Sequence, residues 1–147
     1  MSNISKKIFG DNIIEYANYK GEKGINESTF PQEFFEIVSL FAEDCNFCLK
    51  RLYVHCNRLF IEGQSRGKSN FLMLRFGDQR LVVANIQFIH QRQGKMTQLY
   101  KILKKIRKKY GLKPIKIESC QTEASRSWSI KNGFILQEET QSYIEKN

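Results

Sequence analysis

The sequence predicts an α+β (mixed α/β) domain in which a central mixed sheet is flanked by helices. Two patterns support this class. Strand-like runs follow one another closely between residues 52 and 89, as they do in antiparallel hairpins. A strand from Leu81, a long amphipathic helix and a strand from Ile115 then form a βαβ crossover, which makes two strands parallel. A length of 147 residues suits one domain, residues 1–147, with a sizeable core.

The N-terminal third is predicted to contain a short strand and one helix. Apolar and tyrosine side chains between residues 13 and 19 favour the strand. Ser28 or Thr29 is the predicted cap of the helix, and Pro31 suits its first turn. The apolar face of this helix continues to about Cys48, which places Cys45 and Cys48 one helical turn apart.

Three strands and a second helix are predicted next. Leu52–Glu62 and Asn70–Phe76 have the composition of strands, and a Gly77-Asp78 hairpin turn leads into the strand from Leu81. The second helix is predicted from apolar residues at helical spacing: Met96, Leu99, Ile102, Leu103, Ile106 and Tyr110. Gly111 provides its stop signal.

The C-terminal part is predicted to complete the domain with a strand, a short helix and a final extended segment. The strand covers Ile115 to Ser119, and the helix covers Thr122 to Lys131. The segment from Ile135 to Ile144 fits either one strand or a broken pair of strands. The predicted order from the first helix onward is therefore helix, three strands, helix, strand, helix, strand.

The turn between the Leu81 strand and the second helix has the features of an anion site. A helix N-terminus leaves backbone N–H groups unpaired and carries about half a positive charge. Gly94 allows a positive φ and a close approach to the backbone, and Arg92 and Lys95 place cations beside it. A phosphate group is the ligand that this combination favours.

This segment resembles motif A of the GNAT superfamily of N-acetyltransferases, Gln/Arg-x-x-Gly-x-Gly/Ala at the start of a helix. Gln91 and Gly94 match the first two defining positions, and Met96 departs from the third. Gly133-Phe134 after the short helix is also similar to the family. The resemblance covers about residues 82 to 134 well, and the N-terminal third only by its order of elements.

The resemblance implies an acetyl-CoA-dependent N-acetyltransferase with a small-molecule or protein amine as acceptor. It implies that the central strand and its successor splay apart, and that acetyl-CoA lies in the gap. Its pyrophosphate is then expected on the amides of residues 92–97, and its pantetheine arm along residues 87–89. The cofactor-binding residues implied in this way are Gln87, Phe88, Ile89, Arg92, Gln93, Gly94, Lys95, Met96 and Thr97.

The family's usual general acid is absent. Enzymes of this family often place a tyrosine four residues before the glycine of Gly-Phe, where this chain has Ser129, a poor acid. A water or Tyr143 is the remaining candidate for proton delivery to the thiolate. Glu118 and His90 are candidates for a base or a carbonyl contact. The alternative interpretation makes Glu118 an ion-paired strand residue and His90 a surface loop residue.

The positive charge is concentrated in the middle of the chain. Residues 50–110 carry 15 Lys and Arg against 2 Asp and Glu, whereas the whole chain has a net charge of +9. The outer face of the second helix accounts for five of these cations: Lys101, Lys104, Lys105, Lys108 and Lys109. They predict either a solvated helix face or a surface for nucleic acid. The alternative function is therefore a catalytically degenerate GNAT-like binding module.

Other classes of site and location are disfavoured. Cys45-x-x-Cys48 with Cys56 nearby has poor spacing for a zinc fold, so reduced and mostly buried thiols are expected, with no metal. The first ten residues lack the apolar core of a signal peptide, and no apolar run has the length of a membrane span. A soluble, cytoplasmic protein is the expectation.

Overall fold

The computed structural model describes residues 8–9, 14–17, 31–55, 57–91, 93–118 and 123–146, with the backbone alone for 14–17 and 55. The predicted cap at Ser28 or Thr29, the predicted cofactor-binding residue Arg92, and Ser119 and Thr122 lie outside these ranges. The described helices are α1 (Gln32–Asp44), α2 (Lys95–Tyr110) and α3 (Glu123–Lys131). The described strands are β1 (Ile14–Ala17), β2 (Leu49–His55), β3 (Arg58–Ser65), β4 (Lys68–Gly77), β5 (Arg80–Gln87), β6 (Lys116–Ile117), β7 (Phe134–Gln137) and β8 (Ser142–Glu145).

The described strands form one mixed sheet in the order β1-β2-β3-β4-β5-β6-β8-β7. Neighbouring strands are antiparallel except β5 and β6, which α2 connects as a crossover and which are parallel. The predicted class, a mixed central sheet flanked by helices, is confirmed. The broken-pair alternative for the C-terminal segment is the correct one, because β7 and β8 pair with each other as a hairpin.

Two predicted boundaries are wrong. The single strand predicted from Leu52 to Glu62 is a hairpin of β2 and β3, in which Leu52 pairs with Ile61. The first helix ends at Asp44 rather than near Cys48, because Asn46 and Phe47 adopt positive φ angles of 54° and 61°. Cys48 therefore leads into β2 and does not lie one helical turn from Cys45.

The main core lies between one face of the sheet and helices α1 and α2. Alternate residues of β3 and β4 are buried, which is the pattern of strands with one face in a core. The helices contribute large side chains that are almost fully buried: Phe34, Ile37, Phe41, Leu99, Leu103 and Ile106. Each buried side chain of this size stabilises the fold by about 1.5–3 kcal/mol. None of the described helices is both long enough and apolar enough to span a bilayer.

A bulge in β5 and a short ladder between the described residues of β5 and β6 shape this part of the sheet. Val83 pairs with Leu74 and Asn85 pairs with Met73, so Ala84 is an extra residue in β5. Such a bulge bends a strand and increases its twist. The β5–β6 ladder consists of Val82 with Lys116 and Val83 with Ile117, and it ends there within the described residues. The rest of β5, to Gln87, is thus available to line a gap.

Candidate active site

Helix α2 begins where β5 ends, and Gly94 makes this transition possible. Gly94 is the N-cap residue with φ 73° and ψ 11°, a left-handed conformation that disfavours residues with a Cβ. Its carbonyl accepts a hydrogen bond from the Gln98 N–H at 3.0 Å, which closes the first turn. By helix geometry, the N–H groups of Lys95, Met96 and Thr97 have no intrahelical acceptor. The predicted anion site is therefore a true helix N-terminus.

This helix N-terminus opens onto a cleft of about 380 Å³ that is lined by the end of β5 on one side and by Ile117, Glu118 and α3 on the other. Ligand pockets in proteins usually have volumes of about 300–1,000 Å³. The lining residues come from β4, β5, the loop, α2, β6 and α3: Phe71, Asn85, Ile86, Gln87, Phe88, His90, Gln91, Gly94, Lys95, Met96, Thr97, Ile117, Glu118, Ala124, Ser125, Trp128 and Ser129. The gap expected between the central strand and its successor is thus present as a cavity.

Most of the predicted cofactor residues line this cleft. Gln87, Phe88, Gly94, Lys95, Met96 and Thr97 are among the lining residues. Ile89 and Gln93 are not, and Arg92 lies outside the described residues. The ring of Phe88 stacks on Phe41 at a centroid distance of 4.7 Å, so this side chain is mainly part of the core. The binding role of all nine residues stays a prediction.

Glu118 lines the cleft as one half of an ion pair. Its carboxylate accepts two hydrogen bonds from Arg75, at 3.1 Å from Nη1 and 2.8 Å from Nη2. The Lys116 ammonium lies 3.8 Å from the same carboxylate. The ion-paired interpretation of Glu118 is confirmed. Because its side chain is also 28% exposed and lines the cleft, its carboxylate is held in place within reach of a ligand.

Ser129 and Tyr143 differ in their access to the cleft. Ser129 is a lining residue, and its hydroxyl donates a hydrogen bond to the Ser125 carbonyl at 2.9 Å. Tyr143 is only 4% exposed, belongs to the core and is not among the lining residues of the described chain. It lies opposite Ile117 in the β6–β8 ladder, one residue from Glu118. Its proposed role as an acid stays a prediction.

An aromatic cluster fastens α3 to the start of α2. The Trp128 indole N–H donates to the Thr97 hydroxyl at 3.0 Å, and Trp128 contacts Tyr100 edge to face. The Tyr100 hydroxyl donates a short hydrogen bond to Glu145, whose carboxylate also accepts from the Ile115 N–H at 3.1 Å. Burial raises the pKa of Tyr100, and the hydrogen bond to Glu145 raises it further. These contacts hold one wall of the cleft against the other.

A buried carboxylate that the sequence did not single out holds the loop at the cleft mouth. Asp44, at the end of α1, has no exposed surface. It accepts hydrogen bonds from the Asn70 side chain at 2.9 Å and from the backbone N–H groups of Ile89 at 2.7 Å and His90 at 2.9 Å. The His90 Nδ1 atom lies 3.2 Å from the same carboxylate. His90 is thus a partly exposed loop residue, as its alternative interpretation expected, but one with a buried partner.

The basic face of α2 is partly neutralised within the chain. Lys109 donates to Glu33 at 2.8 Å, and Lys105 lies 3.7 Å from Glu36, so α1 supplies acidic partners. The hydrogen bond lowers the pKa of Glu33 and raises that of Lys109. The Lys104 ammonium lies 4.6 Å from the centroid of the Tyr100 ring. Part of the positive charge in the middle of the sequence is thus balanced by acidic residues of α1, through ion pairs between the two helices.

The cysteines and other potential ligands form no metal centre in the described part of the chain. No group of three or more His, Cys, Asp and Glu side chains there could hold a metal ion. Cys45 and Cys48 are free thiols, the first buried and the second exposed. Burial raises the pKa of the Cys45 thiol, which favours its protonated form. Cys56 and Cys120 lie outside the described residues.

No protein-family model matches the chain, and no curated protein matches it either. Among solved structures, it is similar to a GNAT family acetyltransferase from Elizabethkingia anophelis that was crystallised with acetyl-CoA bound. The sequence identity is 14%, and the match covers 86% of this chain and 78% of that chain, with a TM-score of 0.43.

Proposed function

We propose that the chain is an acetyl-CoA-dependent N-acetyltransferase whose acceptor is a small-molecule or protein amine. The observation that carries this proposal is the junction at Gly94, where a left-handed glycine opens helix α2 onto the cleft between β5 and β6. The anion site and the cavity are adjacent, so one ligand with a phosphate end and a long thin arm fills both. Coenzyme A has this shape and charge.

The chain's own groups fit such a ligand. The N–H groups of residues 95–97 would receive the pyrophosphate, and the Lys95 ammonium would add a positive charge beside it. The edge of β5 from Asn85 to Gln87 would supply backbone N–H and C=O groups for the amides of the pantetheine arm, because the described residues of β6 pair only with Val82 and Val83. Acetyl-CoA, when bound, supplies an activated acetyl thioester for transfer.

Two residues are proposed for proton transfer. Amine attack needs an uncharged amine, so a base must accept the proton of the acceptor ammonium. We assign this role to Glu118, directly or through a water, because its carboxylate lines the cleft and Arg75 holds it in place. Tyr143 is proposed to deliver a proton to the leaving thiolate, through a water because its ring is buried.

Calorimetry with coenzyme A tests the binding half of the proposal. Wild type should bind below about 1 mM, and Gly94→Glu should weaken binding at least about a hundredfold, because its carboxylate would occupy the anion site. Gly67→Glu is the matched control, since Gly67 also has a positive φ of 77° and open space around it but lies in the β3–β4 turn. It should bind within about threefold of wild type. If wild type does not bind at this concentration, the proposed function is wrong.

A second candidate is a nucleic-acid-binding module that uses the outer face of α2. The observation that favours it is a row of three lysines, Lys101, Lys104 and Lys108, with no acidic partner among the described ion pairs, whereas Lys105 and Lys109 contact α1. Each phosphate contact on duplex DNA contributes about −0.9 to the slope of log affinity against log salt, so three contacts give about −2.7.

Binding to DNA and RNA at about 50 and 200 mM salt tests this candidate. Replacing Lys101, Lys104 and Lys108 together by Gln should abolish binding, whereas replacing Lys105 and Lys109 should change it much less, because these two are already ion-paired. No binding by wild type at the lower salt would leave the face as a solvated surface only.

A further inference from the structure

The Asp44 carboxylate uses all of its acceptor capacity at the start of the loop. A carboxylate has about four lone-pair positions on its two oxygens. Oδ2 accepts from the Asn70 side chain and the Ile89 N–H, and Oδ1 accepts from the His90 N–H and lies 3.2 Å from His90 Nδ1. Three segments that are far apart in sequence, α1, β4 and the loop after β5, therefore meet at one buried group.

The same contacts decide which nitrogen of the His90 ring carries the proton. Burial raises the pKa of Asp44, but the hydrogen bonds from Asn70, His90 and Ile89 outweigh it, so the pKa lies below its usual value. An ionised carboxylate can only accept, and therefore His90 Nδ1 must donate. In a neutral imidazole the other nitrogen, Nε2, then carries a lone pair.

The His90 ring also lies where a ligand would pass. Its side chain is 45% exposed and lines the cleft. In sequence, His90 lies between Gln87 and Gly94, which also line the cleft. In the proposed arrangement, the pantetheine arm follows residues 87–89 and the pyrophosphate lies at the start of α2. His90 is then beside the junction of these two parts, where coenzyme A carries a hydroxyl group, which can donate a hydrogen bond.

We propose that Asp44 is a positioning residue that fixes the loop between β5 and α2 and presents His90 Nε2 as an acceptor for the pantetheine hydroxyl. The second half of this statement rests on the proposed function, and the first half does not. Asp44 restrains the backbone through Ile89 and His90, just before Gln91 and Gly94 form the turn. The ring contact gives the same carboxylate a second role, because it sets the tautomer that the ligand meets.

Nuclear magnetic resonance of the ligand-free protein tests the role of Asp44 by itself. The chain has only two histidines, His55 and His90, so ¹H–¹⁵N spectra can assign both rings with the help of a His55→Gln variant. Neutral His90 should carry its proton on Nδ1, and Asp44→Asn should shift the population towards the Nε2–H tautomer. A thermal melt checks that Asp44→Asn is folded. If wild-type His90 carries its proton on Nε2, or if Asp44→Asn leaves the tautomer unchanged, the positioning role is overturned.

Three variants of His90 test the ligand contact by calorimetry. The amide of Gln extends about as far as Nε2, whereas that of Asn extends only as far as Nδ1. His90→Phe and His90→Asn should therefore weaken coenzyme A binding about three- to tenfold, as expected for one hydrogen bond. His90→Gln should retain most of the affinity, because its carbonyl oxygen replaces the Nε2 acceptor.

The nucleotide half of coenzyme A, which is ADP with a 3′-phosphate, is the control ligand. It lacks the pantetheine arm, so the three His90 variants should bind it as tightly as wild type does. Equal coenzyme A affinity of His90→Phe and wild type would overturn the His90 contact, as would an equal loss for both ligands. If wild type binds neither ligand, the proposed function and the His90 contact both fail, and the tautomer result still decides the role of Asp44.

Discussion

Gly63 lies at the centre of the packing that supports Asp44, and an alanine at this position should be strongly destabilising. A Cβ on Gly63 would lie 2.5 Å from Asn70 Oδ1, 2.6 Å from Cys45 Sγ and 3.0 Å from Cys45 Cβ. None of these atoms is at the end of a free side chain. Asn70 donates to the Phe41 carbonyl at 3.0 Å and to Asp44, and Cys45 is fully buried at the end of α1.

The size of the effect follows from these contacts. Overpacking of a buried site costs about 1–3 kcal/mol. Displacing Asn70 also weakens its hydrogen bond to a charged group, which contributes about 1.5–3 kcal/mol. Replacing glycine in a strand gains about 0.5–1 kcal/mol of backbone entropy. The net loss of unfolding free energy for Gly63→Ala is therefore about 2–5 kcal/mol, a large part of the roughly 5–15 kcal/mol of a typical domain.

Urea unfolding followed by the fluorescence of Trp128, the single tryptophan, measures this loss. Gly77→Ala is the matched control, since Gly77 also lies in a strand but a Cβ added there would have no atom within 4 Å. The control should be unchanged or more stable by up to about 1 kcal/mol. A Gly63→Ala variant within about 0.5 kcal/mol of wild type would show that the packing around Asn70 is much looser than described.

Two further predictions concern turnover and alkaline stability. In assays of thiol release from acetyl-CoA with a panel of amines, Glu118→Gln should lower kcat at least about a hundredfold, whereas Ser129→Ala should lower it less than about tenfold. The loss of kcat in Tyr143→Phe should lie between these two values. A hundredfold loss in Ser129→Ala would contradict the assignment of proton transfer to Glu118 and Tyr143. Tyr100→Phe should cost about 1–3 kcal/mol of unfolding free energy at pH 7, because it removes a partly buried hydrogen bond to Glu145. Because the folded-state pKa of Tyr100 is raised, the contribution of Tyr100 to the free energy of unfolding is complete below about pH 10 and declines above it. The difference in unfolding free energy between wild type and Tyr100→Phe, measured by urea titration, should therefore narrow above this pH. A difference that stays constant would contradict this reasoning.

The sequence by itself determined the strand–loop–helix unit around Gly94. The apolar stripe of α2, the glycine before it and Gly111 after it are local signals, and the structure places the helix at Lys95–Tyr110 between these two glycines. The parallel pairing of β5 with β6 was also predictable, because a strand–helix–strand crossover leaves little other choice. Six of the nine predicted cofactor residues line the cleft for the same reason, since they belong to this continuous unit.

The wrong boundaries lie where the local signals are weak. The sequence between β2 and β3, Cys56-Asn57, contains neither glycine nor proline, so the two strands looked like one. The alternation of apolar residues does indicate a break between the two strands. Leu52 and Val54 face the core from even positions, whereas Leu59 and Ile61 face it from odd positions. The end of α1 is similarly hidden, because Asn46 and Phe47 adopt the left-handed conformation without a glycine.

Only the tertiary structure decided which groups support the cleft. The sequence does show that two polar residues occupy positions on apolar faces. Asp44 follows Phe41 by three positions on the helix, and Asn70 shares the buried face of β4 with Leu72. The backbone partners of Asp44, Ile89 and His90, are not visible, because they are 45 and 46 residues from Asp44. Periodicity reports which face of an element is buried, whereas the partner of a buried charge depends on strand register and helix packing across the whole domain.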